Sequence, residues 1–218
     1  INESDDENTF GQALKVGDRF NKDYDEMKLA DSWTNFKLIF HVLSSKTSEL
    51  IYEDEKVSVH TIPLDHRIYT NGFLFKEKPF ERKLDIQKAE ALNIDKAYFR
   101  KLKQGGDVVN EEGTVIPNAE VTFEGHQPKS YAFCSDTAYK EDIMPIIKDV
   151  DVLYHESTFM DAHEYLCAKT KHSTARQAAT IALKANVKQL ILGHYSTRYG
   201  GLEGFKAEAV YPFTNEKK

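Results

Sequence analysis

The chain has 218 residues, 40% of them apolar, and a formal net charge of −6, which is enough apolar material for one substantial core and too much for a disordered chain. No run of 18 or more apolar residues occurs, and the acidic opening lacks the basic-then-apolar order of a signal peptide, so a soluble, cytoplasmic protein is expected. Two isolated cysteines, Cys134 and Cys167, argue against a disulfide framework.

Residues 1–30 carry a weak signal, with helix-compatible spacing only over Asn21–Ala30, and 1–35 is left as a poorly assigned N-terminal segment. Phe36–Leu43 is an apolar run. Leu50–Tyr52 and Val57–Ile62 flank the turn-like Glu53–Lys56, and Ile68–Phe75 follows. This spacing predicts antiparallel strands, with Asn71-Gly72 marking a turn or bulge.

The next stretch changes both charge and period. From Lys76 to Gln104 there are nine Lys/Arg against five acids, so this segment is +4 and the remainder of the chain carries −10. Ile86–Leu92 and Ala97–Leu102 have helical spacing, Asp95 is placed to cap the second piece and Gly105 to end it. Asn110–Gly113 reads as a turn, and Pro117 and Pro128 bound a loop-rich return. The whole excursion, about 76–129, reads as an arm inserted into a domain spanning 36–218. Its local positive charge points to a polyanion, where the overall charge would not.

After the arm, three apolar runs, Tyr131–Ser135, Val150–His155 and Gln189–Gly193, each end at or beside a residue able to bind metal or move a proton: Asp136, Glu156 and His194. Ile143–Ile147 reads as a short helix. Ser173–Asn186 reads as the best helix in the chain, with Ala178, Ile181, Ala182 and Ala185 on one stripe and Thr174-Ala-Arg-Gln177 fitting a capping box. Strand, helix, strand, helix, strand implies an α/β fold with largely parallel pairing in this half. In such sheets polar groups at strand tips converge on one crevice.

Of eight histidines, His41, His60, His126, His155 and His163 have ordinary settings and read as core-edge or surface residues. His66 stands at a strand end, in Pro63-Leu-Asp-His66, and His194 ends Leu190-Ile-Leu-Gly-His194. Two imidazoles and the Asp136 carboxylate could hold a divalent ion such as zinc. His172, beside a carboxylate, could serve as a general acid, because its unperturbed pKa lies near working pH.

Ser135-Asp-Thr137, His155-Glu-Ser-Thr-Phe159, His172-Ser-Thr174 and Leu192-Gly-His-Tyr-Ser-Thr-Arg-Tyr199, in that order and spacing, closely resemble the later motifs of ribonuclease Z, the tRNA 3′-processing endonucleases of the metallo-β-lactamase superfamily. The resemblance runs over roughly residues 36–210. It implies a metallo-β-lactamase-like αββα sandwich, incomplete in its N-terminal half, and a zinc-dependent endoribonuclease that removes the 3′ trailer from precursor tRNA. It makes His66 a ligand of the first zinc, Asp136 the bridging carboxylate and His194 a ligand of the second. His172 and Glu156 match the pair thought to protonate the leaving ribose oxygen, and Arg198 matches a position near the cleaved end. The basic arm, with Lys96, Arg100, Lys101 and Lys103, resembles the flexible arm that grips the tRNA elbow. It carries Ile94-Asp-Lys-Ala-Tyr-Phe99 where the family often has a Gly-Pro motif. A homodimer is also implied.

The family's His-x-His-x-Asp-His motif does not occur: Asp65-His66 looks like its tail, but Thr61 and Pro63 stand where histidines would be needed. The chain is therefore expected to be part of a longer protein, the alternatives being a complete but degenerate family member or a first half supplied by a separate polypeptide, with weak or absent zinc binding and no strong nuclease activity alone. Two alternatives are kept: a metal-dependent hydrolase of the same superfamily acting on small substrates, and a non-catalytic RNA-binding or dimer-partner module.

Overall fold

The computed structural model describes residues 41–215; the expected elements over 1–40, including most of the apolar run 36–43, lie outside them. Ser45 onward forms one compact unit. Its first strands, β1 (Leu50–Glu53), β2 (Val57–Pro63) and β3 (Asn71–Glu77), form an antiparallel meander. The Asp54 carboxylate closes the first turn by accepting from the Lys56 and Val57 amides, both at 2.7 Å.

Asn71-Gly72 is neither a turn nor a bulge. It opens β3, opposite Pro63 and Ile62, and the chain reverses earlier, over 64–70, where Ile68 is exposed. Gly72 is needed for a different reason: a Cβ there would overlap the Phe133 carbonyl oxygen of the neighbouring strand.

The sheet then continues through β8 (Ser130–Cys134), β9 (Val152–Glu156) and β10 (Gln189–Gly193), in the order β1-β2-β3-β8-β9-β10. The β3–β8 pair is antiparallel, whereas β8–β9 and β9–β10 are parallel. The parallel half thus coincides with the stretch where helical segments separate the strands. The crossover into β10 carries α4 (Cys167–Thr170) and α5 (Ala175–Lys184), and a capping box at the start of α5 joins Thr174 and Gln177 in both directions. Its stripe Ala178, Ile181, Ala182 and Ala185 is fully buried or nearly so. Against it lie Ile62, Leu74, Ala132, Cys134 and Leu153 from one face of the sheet, with Ile143, Ile147 and Val150. At about 25 cal/mol per Å² of apolar surface, each fully buried Ile, Leu or Val among them contributes roughly 1.5–3 kcal/mol. Helix α6 (Glu203–Asn215) packs on α5, and its Phe205 is buried between the rings of Tyr195 and Tyr199.

Ile143–Ile147 is not an α-helix. A 3-10 turn spans Glu141–Ile143, and successive turns carry Ile143 and Ile147 into the core, both fully buried. The apolar spacing is real, but burial rather than continuous helical hydrogen bonding accounts for it.

The excursion between β3 and β8 leaves and re-enters the sheet at neighbouring points. Lys76 faces Ser130 in the ladder, and the Glu77 amide donates to the Lys129 carbonyl at 2.9 Å. Within it, β4 (Lys83–Leu84) pairs with β7 (Thr122–Phe123), and β5 (Val108–Val109) pairs with β6 (Val115–Ile116). Helices α1 (Ile86–Ala91), α2 (Phe99–Lys103) and α3 (Asn118–Val121) complete it, with a 3-10 turn at Lys96–Tyr98. Asp85 and Asp95 accept from the Lys88 and Ala97 amides at the helix starts. Gly105, at φ +88°, follows the end of α2 in the left-handed region. Ala89, Ile94, Leu102, Val108, Ile116 and Val121 form a core separate from that of the main sheet. The return after Pro117 is less loop-like than its two prolines suggest, since it holds α3 and β7; a four-residue helix is too short to show a period.

Candidate metal and acid site

The ends of β8, β9 and β10 lie side by side, with Cys134 level with His155 and Gly193 level with Glu156. The residues that follow them therefore emerge together. Asp136 and His194 adopt left-handed backbone conformations, φ +59° and +58°, an uncommon state for residues with a Cβ that costs on the order of 1 kcal/mol or more. Both side chains turn into the same hollow. One ligand atom from each of Asp136, Glu156, His172 and His194 lies within 4.8 Å of the other three. His66 adjoins this group, its ring 5.2 Å from that of His172, which in turn stacks 5.1 Å from His194.

Glu156 is completely buried. Its Oε1 accepts from the Thr137 amide at 2.6 Å and from His172 Nδ1 at 2.8 Å. Its Oε2 accepts from the Thr158 hydroxyl at 2.6 Å, the Thr158 amide at 3.3 Å and the Ser173 amide at 3.1 Å. A carboxylate offers about four lone-pair sites, so this acceptor capacity is filled by protein. Glu156 lies among possible metal ligands, yet it is an organiser of its neighbours. Because a carboxylate accepts, His172 Nδ1 carries a proton and Nε2 is left to face the hollow.

His66 is held in a similar way. Its Nδ1 lies 3.0 Å from the Lys171 carbonyl oxygen, which only accepts, so Nδ1 donates and Nε2 keeps its lone pair. Lys171 is itself left-handed, φ +61°, and its ammonium meets the Asp65 carboxylate at 2.9 Å. The loop bearing Asp65 is also tied to the loop after β8. The Asp65 amide donates to the Thr137 hydroxyl at 3.1 Å, and the Ala138 amide donates to the Asp65 carbonyl at 2.9 Å.

The residues present fit a metal. Asp136 Oδ1 is buried without a hydrogen bond, although His194 Nε2 stands 2.9 Å away; the distance is short but the geometry is not that of a hydrogen bond. An unsatisfied carboxylate oxygen facing an imidazole nitrogen suits a shared cation. A nitrogen from His194 with an oxygen from Asp136 gives the mixed donors that zinc accepts, whereas His66 lies beside the four-residue group and not within it.

Arg198 reaches the site through one ring. Its guanidinium lies 5.4 Å from the centroid of Phe159, and Phe159 meets His172 edge-on at 6.4 Å. Lys96, Arg100, Lys101 and Lys103 are all exposed on the excursion, and among the described residues no contact joins them to the site. Thr137, Thr158, Ser173 and the Lys171 backbone are working parts that no spacing in the sequence marks. All but Lys171 lie inside the short motifs around Asp136, Glu156 and His172, where a Ser or Thr next to a buried carboxylate is the available signal.

A metal-ligand cluster on the rim of a mixed α/β sheet fits a metal-dependent enzyme, and several solved structures resemble part of the chain. They include the metallo-β-lactamase fold protein YhfI from Bacillus subtilis, with TM-score 0.46 and 12% identity over 73% of this chain and 44% of that one. Human tRNase Z, short form, has TM-score 0.43 and 22% identity over 71% and 42%. By sequence the chain is similar to ribonuclease Z proteins. Ribonuclease Z of Parabacteroides distasonis is 44% identical over 181 residues, 82% of this chain and 60% of that protein. That of Cytophaga hutchinsonii is 44% identical over 185 residues, 84% and 59%. The chain thus spans about 60% of the length of the curated relatives it matches. No protein-family model matches it.

Proposed function

We propose that this chain carries the acid and part of the metal site of a zinc-dependent endoribonuclease that removes the 3′ trailer from precursor tRNA, acting in the cytoplasm as a homodimer. The Glu156–His172 pair, at 2.8 Å beside Asp136 and His194, is the observation that carries this reading. Similarity to ribonuclease Z proteins supports it.

Bound zinc would supply Lewis-acid stabilisation of charge on the attacked phosphate. His66, Asp136 and His194 would hold it. The chain's own residues do the rest. His172, with Nδ1 fixed by Glu156, presents Nε2 to the ribose oxygen that leaves and gives it a proton, a contribution of typically 10²–10⁴-fold. Arg198 sets a positive charge one aromatic ring away from that proton and contacts RNA phosphate near the cut. The exposed Lys96, Arg100, Lys101 and Lys103 bind the tRNA backbone away from the cut by charge and shape.

The test is His172→Ala in the full-length protein. Cleavage of precursor tRNA should fall at least about 100-fold, while bound zinc, measured by atomic absorption, stays as in the parent. Unchanged cleavage would overturn the acid role and favour a non-catalytic RNA-binding or dimer-partner module.

A further inference from the structure

The Thr158 hydroxyl joins the two halves of the site. Its Oγ1 lies 2.6 Å from Glu156 Oε2 and 2.8 Å from His194 Nδ1. The residue is nearly buried, at 7% exposure, and it bridges a fully buried carboxylate and a ring that reaches the surface. A threonine hydroxyl has one proton to give. A carboxylate oxygen takes it, so toward His194 the hydroxyl is an acceptor, and His194 Nδ1 must carry the ring proton. Nε2 is then the nitrogen with the free lone pair, and it is the one aimed at Asp136, 2.9 Å away.

The backbone reinforces this polarity. The Thr158 amide also points at Glu156 Oε2, at 3.3 Å, and the Thr158 carbonyl accepts from the Ser196 amide at 3.1 Å, just past His194. The strand-end segments carrying Glu156 and His194 are further joined by the Ser157 amide and hydroxyl, both donating to the Gly193 carbonyl, at 2.8 and 3.1 Å. Thr158 therefore sits where a single oxygen can orient two rings. It saturates one Glu156 oxygen, leaving Oε1 for His172, and it fixes the tautomer of His194.

We propose that Thr158 is a positioning residue that, through one hydroxyl, presents His194 Nε2 as a cation ligand and keeps Glu156 directed at His172. This rests on the metal reading of the site given above. A hydroxyl is required and its methyl group is not, so serine should substitute and valine, of nearly the same shape, should not.

The experiment compares the parent chain with Thr158→Ser, Thr158→Val and Thr158→Ala, all in the same metal-free buffer at a pH where histidines are neutral. Nitrogen-15 NMR of the imidazoles reads the tautomers directly. The parent and Thr158→Ser should show His194 as the Nδ1–H form; Thr158→Val and Thr158→Ala should show a mixture or the Nε2–H form. Zinc titrations of the full-length protein should show affinity lowered about 10- to 100-fold by valine or alanine, the range found for loss of partners behind metal ligands, and little changed by serine. His194 held as the Nδ1–H form in both hydroxyl-free variants would overturn the proposal, as would zinc affinity equal to the parent's. Alanine keeps the question answerable if valine disturbs folding. Failure of the parent itself to bind zinc would sink the metal reading instead, and the tautomer measurement would still decide the role of Thr158.

Discussion

At the scale of single residues, the site is built by giving each imidazole one committed nitrogen. Lys171 takes one from His66, and Glu156 takes one from His172. A neighbouring imidazole outside the metal-ligand group also commits one nitrogen, but in the core. His155 is fully buried, its Nδ1 lies 2.7 Å from the Glu156 carbonyl oxygen, and its Nε2 has no partner. Burial pushes its pKa below the ordinary histidine value. The unfolded chain then binds this proton more readily than the folded one, so the stability linked to His155 is fully present above about pH 6.5 and is lost as pH falls below it. Replacing His155 by leucine should flatten the fall in urea-unfolding free energy between pH 7.5 and 5.5, where the parent loses up to about 1.4 kcal/mol per pH unit from this group. Equal slopes in the two proteins would contradict the assignment. Burial likewise pushes the Cys134 thiol up to about 12 and that of Cys167 to about 11, which suits two free cysteines that serve packing.

Residues of this kind differ in how far the sequence announces them. Asp136, Glu156 and His194 stand out because each ends an apolar run, and strand tips are where polar side chains meet. His172 stands out because a helix cap follows it. Thr158 and Ser173 do not, since a hydroxyl or an amide beside a strand has many uses and only coordinates reveal which atom it faces. The Lys171 carbonyl is invisible in principle, because every residue has one.

At the scale of elements, α5 was legible in full: an alanine-rich stripe for the core and a Thr/Gln box for the start. Asn71-Gly72 was misread because glycine serves two purposes, turning and close approach, and the pattern alone does not separate them. The excursion between β3 and β8 was legible by charge, but its separate core was not, since Ile94, Leu102, Val108, Ile116 and Val121 come from short pieces with no shared period. Its attachment gives a prediction. Because Lys76 pairs with Ser130 and Glu77 with Lys129, replacing residues 78–128 by a two-residue Asn-Gly turn should leave the sheet intact, checked by circular dichroism and cooperative unfolding. In the full-length protein the same deletion should abolish precursor-tRNA cleavage while sparing a small chromogenic phosphodiester. Equal loss of both would argue against a tRNA-gripping role.

At the scale of the whole molecule, charge is divided. An excess of four positive charges in the stretch 76–104 stands against a net −10 over the rest of the chain, so RNA should be drawn to that stretch. If Lys96, Arg100, Lys101 and Lys103 each meet a phosphate, log affinity for tRNA should fall with log salt at a slope of about −3 to −4. Replacing all four by alanine should bring that slope close to zero in filter-binding or fluorescence titrations. A slope unchanged by the replacement would move the binding surface elsewhere. Among the described residues no helix is long and apolar enough to cross a membrane.

Lys171 has a further mechanical consequence. Its carbonyl oxygen anchors one imidazole, and the next residue in the chain is the other, His172. A displacement of this segment should therefore carry both rings, holding their centroids near the 5.2 Å seen here. The pair would act as a calliper mounted on one peptide unit, its opening set by one carbonyl and the residue that follows it.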